Sequence, residues 1–178
     1  MDASVGVVTE PGLSDGESLE EEIEDLVLGT GLNMIYRNRE VNDRGFSHGG
    51  VGIVFLESSM SLQKVKIHNP KKFEVAVAEG KLKGCGRKVV IIGCYIPLNY
   101  NVPRGREAME FIASNISNAK RRLEDPLMVV AGDFNQWRVE ETLVDFPDLR
   151  EHAYGNTRGD RCIDRSFSNL PDVSVSGT

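Results

Sequence analysis

The sequence predicts an α/β sandwich with mixed β-sheets. Short runs of β-branched and apolar residues recur along the chain, separated either by Gly- and Pro-containing turns or by segments with helical spacing. The composition, 40% apolar and 27% charged, is ordinary for a soluble globular protein. The length of 178 residues is enough for one domain with a sizeable core, so we treat residues 1–178 as a single domain.

The first half of the chain contains short strands and one predicted helix. A capping-box pattern at residues 14–17, followed by apolar residues at helical spacing, predicts a helix that Gly29 or Gly31 can end. A polar surface loop is expected over residues 38–48. The predicted strands of this half are Val5–Thr9 and residues 33–36, 49–56 and 64–67.

The second half combines strands with a long helix. Apolar side chains alternate over residues 73–77, which predicts a strand with one buried face. The longest helix is expected over residues 104–123, because its apolar residues form one stripe and Pro126 follows it. The remaining predicted elements are a hairpin turn over 83–87, strands over 89–96, 127–131 and 162–168, and a short helix over 139–144.

Charge and cysteine content indicate the environment of the protein. The net charge of −6 argues mildly against a protein that coats DNA, although a Mg²⁺ site needs clustered carboxylates and can have a local basic rim. Cys85, Cys94 and Cys162 show no metal-ligand spacing, so free thiols in a reducing compartment are expected. With no basic signal region and no apolar run long enough to cross a bilayer, we expect an intracellular protein, nuclear or cytoplasmic, without a membrane partner.

The most informative segment is residues 129–135, an apolar strand that runs into Gly-Asp-Phe-Asn. Asp133 and Asn135 are two positions apart, so both side chains leave the same face if the backbone stays extended. A carboxylate beside an amide suits water activation and contact with a phosphate oxygen. The alternative is a turn in which the two side chains satisfy local backbone groups.

Two other predicted strands end on polar side chains. Tyr95 precedes a Pro-containing turn, where its hydroxyl can donate a hydrogen bond to a phosphate or its leaving oxygen. The alternative is a core tyrosine with its hydroxyl at the surface. Glu10 follows the strand Val5–Thr9, where a carboxylate is a suitable hard oxygen ligand for Mg²⁺. The alternative for Glu10 is a solvated strand end.

A last polar cluster lies between residues 157 and 164. Thr157 and Arg158 are suited to hydrogen-bond a phosphate. Asp164 lies among apolar residues and is expected to be partly buried, and a buried carboxylate needs a partner. The alternative is a surface ion pair of Asp164 with Arg158, Arg161 or Arg165, which would contribute little stability.

The order of these motifs resembles the endonuclease/exonuclease/phosphatase superfamily, which includes apurinic endonucleases and pancreatic-type deoxyribonuclease. The resemblance covers nearly the whole chain, from about residue 5 to residue 169. Its landmarks in chain order are the strand ending at Glu10, Ser-His-Gly-Gly-Val-Gly-Ile at 47–53, the turn after Tyr95, Gly-Asp-Phe-Asn at 132–135, and the Thr-Arg loop leading to Asp164. The segment at 47–53, the Tyr95 turn and the Thr-Arg loop look most like the nicking endonuclease of non-LTR retrotransposons.

The resemblance implies a four-layer α/β/β/α sandwich with two mixed sheets packed face to face and an active site at one end. It also implies a hydrolase that nicks DNA by in-line hydrolysis of a phosphodiester, with Mg²⁺ or Mn²⁺ as cofactor. By the same resemblance, Glu10 would bind the metal and Tyr95 would contact the scissile phosphate. Asp133 would activate the water, and Asn135 would contact a phosphate oxygen. Thr157 and Arg158 would contact DNA, and Asp164 would support a catalytic histidine.

Two parts of the family's pattern are absent from this sequence. The family's first strand carries an Asn that helps to position metal and phosphate, whereas none of the nine residues before Glu10 is Asn. The family closes with a Ser-Asp-His strand, whereas His48, His68 and His152 all precede Asp164. We therefore expect a domain without the family's first and last strands, with reduced or no activity and less stability than a full-length relative.

Two other functions remain open. One keeps the fold but changes the substrate to a phosphoester outside nucleic acids, such as a phosphoinositide or sphingomyelin, although nothing in the sequence resembles the lipid-phosphatase signatures. The other is an inactive remnant that binds nucleic acid or a partner protein. Other phosphate chemistries are disfavoured, because the sequence contains no GxxxxGK[ST] loop, GxGxxG turn or HExxH helix.

Overall fold

The computed structural model describes residues 5–9, 27–37, 50–65, 74–98, 101–152 and 164–170. Nine strands and two helices lie within this part of the chain. Most of the helix predicted before Gly29, the loop predicted over 38–48 and the Thr-Arg loop at 157–158 lie outside the described residues.

Three strands form an antiparallel sheet. They are β1 (Val5–Thr9), β2 (Leu32–Arg37) and β3 (Val51–Leu56), in the spatial order β1-β3-β2. Val51 at the start of β3 lies opposite both Thr9 and Arg37, the last residues of its two neighbours. The carboxyl ends of β1 and β2 therefore lie at the same end of this sheet as the start of β3.

Six strands form a second, mixed sheet with the spatial order β4-β5-β6-β7-β9-β8. They are β4 (Met60–Lys64), β5 (Glu74–Leu82), β6 (Lys88–Tyr95), β7 (Leu127–Asp133), β8 (Arg150–His152) and β9 (Asp164–Ser168). A tight turn joins β5 to β6, where the Leu82 backbone N–H donates to the Arg87 carbonyl at 3.0 Å. In contrast, β6 and β7 run parallel, so a long crossover must connect them.

The crossover is helix α1 (Val102–Arg122). The Asn101 side chain caps its start by accepting a hydrogen bond from the Arg104 backbone N–H at 3.0 Å, and Pro103 suits the first turn because no donor is needed there. A short helix, α2 (Val139–Leu143), follows β7. The buried stripe of α1 consists of Gly105, Ala108, Met109, Ile112, Ile116 and Ala119.

The central strands of the six-stranded sheet are buried on both faces. One face packs against the two helices through residues such as Val75 and Ile92, and the other packs against the three-stranded sheet through residues such as Ala76 and Ile91. The prediction that the strand near residues 73–77 buries only one face was therefore wrong. Residues 75–78 are all buried, because a helix covers one side of β5 and a second sheet covers the other.

Gly93 lets the two sheets pack directly on each other. An added Cβ at Gly93 would lie 3.1 Å from Val51, 3.2 Å from Val7 and 3.3 Å from Ile53, all in the three-stranded sheet. The missing side chain at this position thus brings β1 and β3 close to β6. Gly93 is two residues before the end of β6, so this close packing lies next to the carboxyl ends of the strands.

The predicted α/β sandwich is confirmed, with two differences in detail. The strand predicted at 64–67 instead spans Met60–Lys64, because Met60 and Leu62 bury their side chains against the core between the sheets. Strand β8 was not predicted, because Arg150, Glu151 and His152 have no apolar alternation. No helix in the described ranges is long and apolar enough to span a bilayer.

Candidate active site

Four polar side chains form a row across the end of the six-stranded sheet. In the strand register, Glu74 pairs with Tyr95, Tyr95 with Asp133, and Asp133 with Asp164. The side chains of directly paired residues point to the same face of a sheet. Here that face packs on the three-stranded sheet. We call these four residues the polar row. The fold therefore brings together three residues predicted from the sequence, namely Tyr95, Asp133 and Asp164.

Backbone geometry fixes the position of Asp133. Gly132 has a φ of 147°, and an added Cβ would lie 1.8 Å from the Cys94 carbonyl oxygen, so glycine is required there. The Asp133 Oδ1 atom accepts a hydrogen bond from the Asn135 backbone N–H at 2.8 Å. The Asp133 carbonyl accepts another from the Ile96 N–H at 2.9 Å. These contacts hold the carboxylate at the end of β7.

Asn135 does not continue the strand. Strand β7 ends at Asp133, and Asn135 has a φ of 50°, in the left-handed region that Asn tolerates better than most residues. The prediction that Asp133 and Asn135 leave one face of an extended strand was wrong, because their local hydrogen bond bends the chain into an Asx turn. The local turn considered as the alternative is what the structure contains.

The Asn135 amide links the turns that follow β6 and β7. Its Nδ2 atom donates a hydrogen bond to the Ile96 carbonyl at 3.0 Å. A side-chain amide carries two N–H donors, so this bond uses one of them. Asn135 therefore remains next to Asp133 and Tyr95, although it reaches this place through a turn.

Tyr95 and Cys94 leave opposite faces at the end of β6. Tyr95 is half-buried in the polar row, whereas Cys94 is fully buried against the helices. Burial raises the pKa of the Cys94 thiol well above its ordinary value, and the negative charge of Asp133 raises it further. Cys94 is therefore a protonated core thiol, as predicted, and Cys85 is an exposed free thiol. Cys162 lies outside the described residues.

Trp137 fixes the turn after β7 to the start of α1. The ring of Trp137 lies over Gly105, where an added Cβ would be 1.9 Å from a ring carbon. The Trp137 backbone N–H donates to the carbonyl of the fully buried Phe134 at 3.0 Å. The sequence did not indicate this contact, because a lone aromatic in a turn and a glycine inside a helix form no recognisable pattern.

Asp164 begins β9 and is half-buried, as predicted. The next residue, Arg165, donates two hydrogen bonds to the Glu151 carboxylate at 2.6 and 2.8 Å and also pairs with Glu140. Neighbouring residues of a strand point to opposite faces, which disfavours Arg165 as the surface partner of Asp164. The other two arginines considered, Arg158 and Arg161, lie outside the described residues. The Arg165 network instead fixes β9 to β8 and α2.

Glu10, Thr157 and Arg158 lie outside the described residues. The strand before Glu10 ends at Thr9, whose partner Val51 follows Gly50. The Gly50 backbone N–H donates to Glu74 Oε2 at 2.9 Å. The end of β1 and the polar row therefore lie at the same end of the sandwich, which we call the polar-row end.

Two buried charged residues beside the site were not predicted from the sequence. Glu74 is 4% exposed and Arg37 is 8% exposed. Burial lowers the pKa of the Arg37 guanidinium, an effect that the negative charge of Glu74 partly offsets. Glu74 lies on the same face of β5 as the buried residues Ala76 and Ala78, and this second apolar face is the signal that could have identified it.

The side chains at the polar-row end offer mainly oxygen atoms. Mg²⁺ commonly binds one or two protein carboxylates and completes its coordination with water and phosphate oxygens. Within the described ranges, no group of three or more His, Cys, Asp or Glu side chains could hold a metal ion. The carboxylates of Asp133 and Asp164 are hard oxygen donors, the kind of ligand that Mg²⁺ prefers.

Comparisons with known proteins identify the fold. No protein-family model and no curated protein matches the chain. The catalytic domain of human Nocturnin with a bound sulfate anion superposes with a TM-score of 0.64 at 15% identity, covering 93% of this chain and 68% of that one. An endonuclease/exonuclease/phosphatase family protein from Bacteroides thetaiotaomicron gives 0.60 at 11% identity, covering 94% and 84%.

ANGEL2, a 2′,3′-cyclic phosphatase in complex with adenosine-2′,3′-vanadate, gives a TM-score of 0.59 at 17% identity, covering 86% of this chain and 45% of that one. These likenesses show that the chain has the endonuclease/exonuclease/phosphatase fold, which confirms the fold implied by the motifs. The similarity to the retrotransposon branch stays a prediction.

Proposed function

We propose that this chain is a metal-dependent phosphodiester hydrolase that nicks DNA. The observation that carries the proposal is the register that aligns Tyr95, Asp133 and Asp164 at one end of the sandwich. The fold supports phosphoester hydrolysis, and the order of motifs supports an endonuclease of the retrotransposon type. The substrate is proposed to be duplex DNA, with one strand cut at a time.

In this proposal, Asp133 orients the attacking water and accepts its proton. The backbone hydrogen bond from Asn135 to the Asp133 carboxylate limits its rotation, which favours a fixed attack geometry. The Tyr95 hydroxyl donates to the scissile phosphate or its leaving oxygen, and the second N–H of Asn135 donates to a phosphate oxygen. In-line attack then breaks the bond between phosphorus and the leaving oxygen.

Glu10 is proposed as the principal ligand of Mg²⁺ or Mn²⁺. When bound, the ion neutralises charge on the phosphate and on the leaving alkoxide. Thr157 and Arg158 are proposed to bind the DNA backbone near the cut. By its place in the order of motifs, Asp164 is proposed to hold a catalytic histidine in its productive orientation.

A substrate panel tests the proposal. The purified chain, shown to be folded by circular dichroism, is incubated in Mg²⁺ with supercoiled plasmid, inositol phosphates or p-nitrophenyl phosphate. We expect conversion of supercoiled plasmid to open circles, with little release of phosphate from the small compounds. Turnover of the small phosphoesters without plasmid nicking would contradict a DNA substrate and retain the phosphoester chemistry.

A second candidate is a phosphatase or phosphodiesterase that acts on a phosphoester other than DNA. Two observations favour it, namely the net charge of −6 and the structural likeness to ANGEL2, a 2′,3′-cyclic phosphatase. The same substrate panel separates the two candidates. A third outcome, DNA binding in a gel-shift assay without cleavage in Mg²⁺, would indicate a binding protein without catalytic activity.

A further inference from the structure

Two buried charges connect the sheets at the polar-row end. Arg37 ends β2 in the three-stranded sheet, and Glu74 begins β5 in the six-stranded sheet. Burying two opposite charges has a large desolvation cost, and apolar residues of similar volume are often equally stable or more stable. Stability alone therefore does not explain why charged residues occupy these two positions.

The contacts between the sheets run through both residues. Arg37 Nη1 donates a hydrogen bond to the Val75 carbonyl at 3.1 Å, and Glu74 Oε2 accepts one from the Gly50 backbone N–H at 2.9 Å. Gly50 has a φ of 95°, and an added Cβ would lie 2.4 Å from the Tyr36 hydroxyl. Only glycine therefore lets the chain come this close to Glu74. We call Arg37, Glu74 and Gly50 the sheet bridge.

The sheet bridge lies level with the proposed catalytic residues. On one side, Glu74 is the strand partner of Tyr95 and belongs to the polar row. On the other side, Gly50 precedes Val51, which is the strand partner of Thr9. The bridge thus connects the strand end that leads to Glu10 with the strands that carry Tyr95 and Asp133.

We propose that Glu74, through its hydrogen bond with the Gly50 backbone N–H, is a positioning residue that sets the separation of the two sheets at the active site. This inference rests on the proposed function, in which a metal ligand after β1 acts together with Tyr95 and Asp133. Glu74 would act through Gly50 and the strand register, without touching the substrate. A misplacement of about 1 Å in such a site can lower the rate about 10²-fold, so the sheet separation matters for catalysis.

The test compares the same substitution at two positions of β5. Glu74→Gln keeps the side-chain volume and an oxygen acceptor for Gly50, but it removes the charge beside Arg37. Glu79→Gln is the matched control, because Glu79 pairs with Arg122 on the surface near the other end of the strand. Both variants are first shown to be folded by thermal melting.

We expect Glu74→Gln to lower kcat for plasmid nicking about 10–100-fold and to raise the Mg²⁺ concentration for half-maximal activity. The KM for plasmid should stay within about twofold, because Glu74 does not touch DNA in this proposal. Glu79→Gln should leave all three quantities at their wild-type values. A merely structural role would change the melting temperature without this specific change in metal dependence.

Mn²⁺ binding without DNA provides a readout that does not depend on turnover. Water-proton relaxation should show weaker Mn²⁺ binding by Glu74→Gln than by Glu79→Gln. If Glu74→Gln does not fold, the double variant Arg37→Met/Glu74→Gln replaces it, because neither charge is then left buried alone. The double variant should show the same loss of kcat and the same weaker Mn²⁺ binding.

Equal kcat, equal Mg²⁺ dependence and equal Mn²⁺ affinity in folded Glu74 and Glu79 variants would overturn the inference. Failure of the proposed function gives a different result. If the wild-type chain does not nick plasmid but the two variants differ in Mn²⁺ affinity, the proposed nicking activity is contradicted and the positioning role of Glu74 at the metal site is supported.

Discussion

The two ends of the sandwich use charged residues differently. At the polar-row end, Arg37 and Glu74 are buried and connect the two sheets. The other end, which we call the hairpin end, contains the β5–β6 turn and the last turn of α1. There Arg87 and Asp125 form a 2.7 Å ion pair with side chains that are 43% and 80% exposed. Solvent-exposed pairs of this kind contribute about 0–1 kcal/mol, far less than the disruption of a buried pair costs.

The backbone differs between the two ends in the same way. Gly132 before Asp133 has a positive φ and no space for a side chain, since an added Cβ would lie 1.8 Å from the Cys94 carbonyl oxygen. Gly86 in the hairpin turn also has a positive φ, of 69°, but nothing lies within 4 Å of an added Cβ. The backbone at the polar-row end is therefore constrained by its neighbours, as expected if this end is the proposed active site.

The largest expected difference between the two ends is in how a lost carboxylate changes the rate of plasmid nicking. Asp133→Asn keeps an oxygen that can accept the Asn135 N–H but removes the charge that is proposed to activate water. The single-turnover rate of plasmid nicking should therefore fall about 10²–10⁴-fold. Asp125→Asn, which removes a carboxylate at the hairpin end, should leave the rate unchanged. Both variants are checked for wild-type melting. Equal rates in the two variants would show that the polar row is not the catalytic site.

The next largest effect is on stability when one partner of a charge pair is removed. Arg37→Met leaves Glu74 buried without its neighbouring cation and should lower the free energy of unfolding by about 3–5 kcal/mol. Arg87→Met removes only an exposed pair and should cost about 0–1 kcal/mol. Urea denaturation of both variants measures the difference. A loss at Arg37 no larger than that at Arg87 would mean that the two ends tolerate charge loss equally.

Glycine substitutions compare the backbone constraints. Gly132→Ala should lower the free energy of unfolding by about 2–4 kcal/mol, because the positive φ and the clash with the Cys94 carbonyl both oppose a Cβ. In Gly86→Ala, only the positive φ opposes the added Cβ. This substitution should lower the free energy of unfolding by about 1 kcal/mol. Denaturant unfolding gives both values. Similar losses would indicate that β7 can shift away from β6 at little cost.

The smallest expected effect is the acid sensitivity of two exposed carboxylates. Burial raises the pKa of Glu140, but its hydrogen bond with Arg165 and other favourable contacts outweigh this and leave the pKa lowered. The pKa of Asp148 is lowered in the same way, since the Lys120 bond and charge outweigh the effect of burial. A depressed folded-state pKa gives stability above the ordinary carboxyl pKa, and this stability is lost as the pH falls through the folded value.

Glu140→Gln and Asp148→Asn should therefore each flatten the decline of unfolding free energy below about pH 4, by less than about 1 kcal/mol because both pairs are exposed to solvent. Urea unfolding at pH values from neutral to acidic measures this slope. An unchanged slope in both variants would show that these pairs contribute nothing to acid stability.

The sequence predicted most of the regular structure, because periodicity is a local signal. Seven elements begin and end within two residues of their predicted limits, namely strands β1, β2, β3, β6 and β7 and helices α1 and α2. Strand β8 escaped prediction because its three residues are polar or charged and pair with β9 only through the tertiary fold. The second buried face of β5 also depends on a distant sheet, which a short sequence window does not contain.

The site was predicted less completely, for related reasons. Motif order gave Tyr95, Asp133 and Asp164 as candidates, and their alignment in one row became visible only in the sheet register. The spacing of Asp133 and Asn135 fits both an extended strand and an Asx turn, so spacing alone could not decide between them. Arg37 and Glu74 are distant in sequence and come together only when the two sheets pack.

The central claim is that the polar row belongs to a metal-dependent site for phosphodiester hydrolysis. The most direct test is the conversion of supercoiled plasmid to open circles by the wild-type chain in Mg²⁺ and in EDTA, with folded Asp133→Asn in Mg²⁺ alongside. The account predicts that the wild-type chain nicks plasmid in Mg²⁺. It predicts no nicking by the wild-type chain in EDTA and none by Asp133→Asn in Mg²⁺. Nicking by Asp133→Asn at the wild-type rate, or nicking in EDTA, would contradict it.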